Sequence, residues 1–165
     1  ADALIREAGY HVVRRLSDMA ATIAPHAPLS ALPPGVALRP VEPAHHRAIY
    51  GAIKDANGEL WTSTPEGEED YAEYLAEHVE TSGYDPTLWQ VAWARDEAAG
   101  VVIGRVVEEH SVGQITEVAV RPAWQRRGVA RALLQRALHT LADRGITHAR
   151  LYTDADDGQG ARSLY

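Results

Sequence analysis

The sequence predicts an α+β layer sandwich, a mixed and mainly antiparallel sheet flanked by helices, with one helix crossing between two of its strands. Three observations carry that reading. Residues 87–94 and 100–108 are rich in Val, Ile and Trp and are separated by the polar Arg95-Asp96-Glu97, which suggests a hairpin; a third run, 114–120, follows the Ser111-Val112-Gly113 turn. From 129 to 143 the apolar Ala130, Leu133, Leu134, Ala137, Leu138 and Leu141 fall at helical spacing, and Gly145 stands where a helix stops. Residues 147–153 read as another strand after that helix, which makes the helix a crossover.

The remaining elements follow in order. Residues 1–9 carry Leu4, Ile5 and Ala8 on one side and end at Gly9, as a short amphipathic helix would, and 10–23 looks strand-like. Residues 25–35 hold four of the nine prolines, each fixing φ and removing a donor, and read as a linker. A strand is expected over 36–41. Pro43 then opens a helix whose Ile49, Ile53 and Ala56 share a face. Thr64 is a plausible N-cap for a second helix, with Pro65 at its first position, acids at Glu66, Glu68, Glu69 and Asp70, and Tyr71, Leu75 and Val79 as the buried side. Residues 160–165 begin a last helix, giving the order β-α-α-β-β-β-α-β-α.

The 165 residues are 45% hydrophobic and 24% charged, enough for one ordinary core. A net charge of -7 argues against a nucleic-acid partner and favours a cationic or amine-bearing small substrate. There is no cysteine, hence no disulfide, thiolate metal site or Cys nucleophile. With no apolar run of membrane-spanning length and no signal-peptide core, a cytoplasmic protein without a membrane partner is expected. Neither His26 nor the pair His45-His46 shows a zinc-ligand spacing, so no metal is expected and these histidines are read as surface residues.

The segment that carries chemistry runs Val118-Ala119-Val120-Arg121-Pro122-Ala123-Trp124-Gln125-Arg126-Arg127-Gly128-Val129-Ala130. An apolar strand enters a proline-broken turn, and a basic, glycine-containing loop opens into an amphipathic helix. Such a start presents unpaired N–H groups and the positive dipole end, which suits a pyrophosphate. Gly128 and Ala130 let backbone come close to it.

The pattern Val118-Ala119-Val120-x-Pro-x-x-Gln125-x-x-Gly128-x-Ala130, followed by Leu133-Leu134, resembles the acetyl-CoA signature of the GNAT superfamily of acyl-CoA-dependent N-acetyltransferases, over about residues 36–165. The resemblance implies that the backbone of Val118, Ala119 and Val120 pairs with the pantetheine arm and that Arg126, Arg127, Gly128, Val129, Ala130 and Arg131 line the pyrophosphate site after Gln125. It further implies that Tyr165 protonates the departing thiolate, a role its high pKa suits. Asp157 or Gly158 stands where the family commonly has a coenzyme-contacting Asn. Glu117 is the candidate general base, acting through a water, although alternation leaves open whether Glu117 or Thr116 faces the cleft. Glu108, Glu109 and His110 form a second polar cluster, and Trp61 lies in the region where the family builds its acceptor pocket.

Residues 3–14 resemble the segment that closes a GNAT domain, whereas the sequence stops at Leu164-Tyr165, before such closing strands would come. The division expected is 1–24 as the remnant of a preceding unit, 25–35 as linker and 36–165 as a C-terminally incomplete GNAT domain, a piece of a tandem protein with a mycothiol synthase-like layout. The alternative is that the N-terminal piece docks as the missing strand, within the chain or in a homodimer. The function expected is transfer of an acetyl group from acetyl-CoA to a primary amine of a small acceptor in a ternary complex. The rival is a degenerate unit with a structural or CoA-sensing role.

Overall fold

The computed structural model describes residues 16–24, 27–58, 68–107 and 111–154. Its strands are β1 (Leu16–Thr22), β2 (Ala37–Leu38), β3 (Trp89–Ala94), β4 (Glu97–Val107), β5 (Val112–Val120) and β6 (His148–Asp154); its helices are α1 (His46–Asn57), α2 (Glu68–His78) and α3 (Val129–Asp143). They form one sheet in the order β1-β6-β5-β4-β3-β2. Every pairing is antiparallel except β5 with β6, which the crossover helix α3 makes parallel. The α+β sandwich read from the sequence is therefore the fold.

The hairpin closes through Arg95-Asp96, with Arg95 at a φ of 58°, so β4 starts at Glu97 rather than Gly100. β2 pairs only at Ala37 and Leu38, shorter than the strand expected over 36–41. Pro40 explains part of this, since it has no N–H to offer a ladder. The strand expected within 10–23 is β1, which lies in-chain against the full length of β6, from Leu16↔Asp154 to Thr22↔His148. The proline-rich stretch returns across α3, where Ser30 N–H donates to Gln135 Oε1 at 2.7 Å and Arg136 donates to the Ser30 carbonyl at 2.9 Å.

Helix α3 buries Val129, Ala132, Leu133, Leu134, Ala137 and Leu141 on one face of the sheet. Side chains alternate along β4 and β5, so Gly100 and Gly113 face α3 while Val101 and Gln114 face the other way. That opposite face carries α1, which buries His46, Ile49, Ala52 and Ile53, and then α2. Filling both faces with Leu, Ile and Val side chains stabilises the sandwich by roughly 2 kcal/mol for each one fully buried.

The expected Tyr71, Leu75 and Val79, the last just beyond α2, pack against the core, but the deepest residue of the helix is Tyr74, which the expectation did not include. His46 is a correction: expected at the surface, it is 4% exposed. Its Nδ1 lies 3.1 Å from the Tyr74 hydroxyl and its Nε2 3.1 Å from the Tyr84 hydroxyl, so both ring nitrogens are satisfied inside the fold. His45 packs its ring against Trp93 at 4.8 Å. Among the described residues no helix is long and apolar enough to cross a membrane and no cluster of side chains could hold a metal ion.

Candidate functional site

The site begins with an imperfection in the sheet. β5 pairs with β4 along its whole length but with β6 only at Gly113, Gln114 and Ile115. β6 stays paired to β1 as far as Asp154. The two central strands therefore part after Ile115, and the edge of β5 from Thr116 to Val120 is left without a β6 partner. Unpaired backbone N–H and C=O groups along such an edge are ready to bond an extended ligand. Val118, Ala119 and Val120 all lie on it.

A second irregularity fixes the side chains. The β4–β5 register shifts between Ile103 and Gly104, so Glu117 pairs with Ile103 and Ile115 with Gly104, leaving Thr116 as the extra residue. A bulge of this kind re-aims side chains. Glu117 points to the α1–α2 face, where the Asn57 side chain at the end of α1 hydrogen-bonds it. Burial first, and the nearby Glu77 carboxylate second, push its carboxyl up to about 7, against the smaller opposing pull of the Val118 N–H and Asn57. A carboxyl poised there exchanges protons readily at neutral pH.

At the end of β5 the chain turns sharply and is pinned. Arg121 N–H donates to the Ala99 carbonyl at 3.0 Å, its Nε donates to the Ala98 carbonyl at 2.8 Å, and its guanidinium pairs with Asp55 and with Glu97, the latter at 3.2 Å. A short 3₁₀ turn at Pro122–Trp124 follows. Gln125 then sends its side-chain amide back to the Val120 carbonyl at 3.0 Å. Arg126 and Gly128 both have positive φ, 60° and 81°, which swings the backbone into the start of α3.

Gly128 is the N-cap of α3, and no side chain caps it. The first helical amides of Val129, Ala130 and Arg131 thus keep the unmet donors of a helix start, with the positive dipole end behind them. Arg126, Arg127, Gly128 and Arg131 are exposed, and a Cβ at Gly128 would meet nothing within 4 Å. The Arg127 guanidinium lies over the Trp124 ring, 5.1 Å from its centroid. Val129 is buried against the sheet and Ala130 half-buried, so these two contribute backbone rather than side chain to the open surface. Open space, free amides and three exposed arginines fit a pyrophosphate.

Tyr165, Asp157, Glu108, Glu109, His110, His26 and Trp61 lie outside the described residues. The structure adds residues that the sequence reading did not single out: Asn57 and Glu77 beside Glu117, and Trp89, Arg105 and Gln114, which with Glu77 and the already considered Thr116 help to line a cavity of about 190 Å³ between α2 and strands β4 and β5. They come from five separate elements, so no local spacing announces them.

Comparison with known proteins places these features. The profile of the Acetyltransferase (GNAT) family matches residues 49–165. The chain is 33% identical to a mycothiol acetyltransferase of Pseudarthrobacter chlorophenolicus, over 95% of this chain and 49% of that protein. It is 31% identical, with a TM-score of 0.78, to the crystal structure of a GCN5-related N-acetyltransferase from Sphaerobacter thermophilus, over 99% of this chain and 50% of that one. The PaiA N-acetyltransferase of Thermoplasma acidophilum, solved with coenzyme A, shares the fold at a TM-score of 0.58 and 14% identity, over 79% of this chain and 86% of that one. This chain spans about half the length of the mycothiol acetyltransferases it matches. With a profile match across most of its length on a parted sheet and an uncapped, basic helix start, the chain belongs to the GNAT family of acetyltransferases.

Proposed function

We propose that this chain transfers the acetyl group of acetyl-CoA to a primary amine of a small acceptor, by direct attack within a ternary complex. The observation that supports it best is the alignment of three features on one strand: the open edge of β5 from Thr116 to Val120, Glu117 on its acceptor-facing side, and the uncapped start of α3 at its end. The amides of residues 126–131 bind the pyrophosphate, and the β5 edge holds the pantetheine arm extended, with a backbone N–H polarising the thioester carbonyl.

Glu117 accepts a proton from the acceptor ammonium through a water, forming the carboxyl O–H and leaving a nitrogen lone pair. That lone pair attacks the thioester carbon; as the C–S bond breaks, Tyr165 donates its proton to the departing thiolate, and the second N–H proton shed on amide formation passes through a water to restore the tyrosine hydroxyl. No metal and no covalent enzyme intermediate is needed. The name borne by the relatives, mycothiol acetyltransferase, offers one acceptor type to try, but the two-unit length of those proteins makes it an assignment for the whole protein.

The test is calorimetric titration of acetyl-CoA into the chain and into Gly128→Asp. The substitution puts a Cβ on a backbone at φ +81° and a negative charge at the anion site, so wild-type binding abolished by the variant is expected. Failure of the wild-type chain to bind would leave a unit with a structural role in a longer protein.

A further inference from the structure

We infer that Arg105 anchors an anionic group of the acceptor, so that the substrate is an amine carrying a carboxylate or similar anion about two strand residues, roughly 7 Å, from its reacting nitrogen. The inference rests on the reading of Glu117 as the base that receives the amine.

Arg105 lies on β4, two positions beyond Ile103, the residue paired with Glu117, and on the same α1–α2 face of the sheet. It lines the cavity between α2 and the β4–β5 pair together with Gln114, Thr116 and the Trp89 ring. Its Nε donates to Gln114 Oε1 at 2.9 Å, from the neighbouring strand. That bond fixes the plane of the guanidinium and leaves its two terminal nitrogens, the end that binds a carboxylate bidentately, to face other partners.

Among the described residues Arg105 makes no ion pair. The other arginine tied to this sheet face, Arg121, has both Asp55 and Glu97, and Arg144 and Arg150 have Asp85 and Asp18. Glu77 lines the same cavity but sits beside Glu117 and 3.8 Å from His78. His78 is held below its ordinary value by burial first, with Glu77 opposing and the positive charge of Arg105 adding to the fall; an imidazole, neutral or protonated, gives a guanidinium no counter-charge. The cavity thus has an acidic side at Glu77, whose carboxylate lies near that of Glu117, the residue after Thr116 of the lining, matching an ammonium, and a cationic side at Arg105, which has no ion-pair partner among the described residues. A ligand with complementary ends, laid along the strand direction over Trp89 and Thr116, satisfies both.

The test compares two probe acceptors with the same amine, 5-aminopentanoate and 1-aminopentane, each with acetyl-CoA. One ionic, bidentate contact corresponds to a preference of about tenfold or more in kcat/KM for 5-aminopentanoate. Arg105→Gln is expected to bring the two probes within about twofold of each other by loss on the amino-acid side, with KM for acetyl-CoA unmoved, and Arg105→Lys to restore part of the preference. An equal rate for both probes in the wild type, or a preference that survives Arg105→Gln, overturns the inference. If neither probe is acetylated, saturable shifts of the Arg105 Nε–H resonance by 5-aminopentanoate but not 1-aminopentane support it, and their absence overturns it. Glu117→Gln separates the two claims: if it leaves turnover intact, the base assignment fails while the Arg105 preference is still read.

Discussion

The Gln125 side-chain amide donates to the Val120 carbonyl at 3.0 Å, so the first defined residue of the cofactor motif closes the turn between β5 and α3. It holds the open strand edge and the start of α3, the proposed phosphate site, in one fixed relation, five residues apart in sequence. Gln125→Ala removes this bond and leaves a partly buried carbonyl unmet, a loss of about 1 kcal/mol. In a chain of this size that is a fall in Tm of roughly 2–4 °C. The expected kinetic signature is a KM for acetyl-CoA raised by about fivefold, the ratio that 1 kcal/mol corresponds to, with KM for the amine unchanged. A thermal melt and a two-substrate KM determination check it.

As the proposed base, Glu117 sets the expected pH dependence. Its carboxyl is raised to about 7, so kcat/KM for the amine should climb with pH through that value and level off above it. Glu77→Gln removes the second cause of the rise and is expected to move the midpoint down, while Glu117→Gln abolishes the dependence together with most of the activity.

The same shift has a sign for stability. The folded carboxyl binds its proton more tightly than the unfolded one, so folding takes up a proton between pH 4.5 and about 7 and stability falls as pH rises through that window. Glu117→Gln, which cannot ionise, should therefore be the more stable protein at pH 8, by something on the order of 1–3 kcal/mol, and lose that advantage at pH 5. Melts at the two pH values decide it; an advantage equal at both would sink the linkage.

What the sequence disclosed and what it hid divide along the range of the interactions. Helix α3 was legible because Leu133, Leu134, Ala137 and Leu141 repeat at its own period, and the β3–β4 hairpin because two β-rich runs flank Arg95-Asp96. The basic start of α3, the proposed phosphate site, was legible because Gly128 and the arginines are contiguous. The side on which Glu117 lies was not, because a register shift opposite Ile103 and Gly104 overrides simple alternation. Nor was the burial of His46, whose partners Tyr74 and Tyr84 are 28 and 38 residues away. Asn57, Glu77 and Arg105, proposed to face the acceptor, meet only when α1, α2 and β4 are packed together.

His46 joins α1 to α2 and to the loop before β3, so it also governs the wall that carries Glu77. A neutral imidazole has one donor and one acceptor nitrogen; with Tyr74 and Tyr84 it therefore donates to one hydroxyl and accepts from the other. Burial first, and His45 second, hold its pKa below the ordinary 6.5. The unfolded chain then binds more protons at acid pH, so this contribution to stability is full above pH 6.5 and declines as pH falls below it. His46→Ala strands the Tyr74 hydroxyl in the interior, unpairs the half-buried Tyr84 hydroxyl and opens a cavity, a cost of about 2–4 kcal/mol at neutral pH. The difference from wild type should narrow on acidification in a denaturant titration, and a constant difference would refute the assigned role.

Gly113 marks the point where β5 still meets β6 and where Leu141 of α3 packs directly on the strand. A Cβ built there lies 2.6 Å from Leu141 Cδ1 and 3.1 Å from its Cδ2. Leu141 is fully buried, so it has no solvent side to retreat to, and α3 itself must lift. Gly113→Ala is expected to cost roughly 1–3 kcal/mol by overpacking, against the small gain that alanine brings through the unfolded state. The pairing Gly113↔Ala149 belongs to the short ladder that ends where the strands part, so lifting α3 there should also widen the opening proposed to receive the thioester. Gly113→Ala combined with Leu141→Ala, which returns the lost space, should recover the KM for acetyl-CoA more fully than the stability, because the double variant keeps the strand geometry but buries less apolar surface. Recovery of neither would mean that the close contact at Gly113 does not set the strand opening.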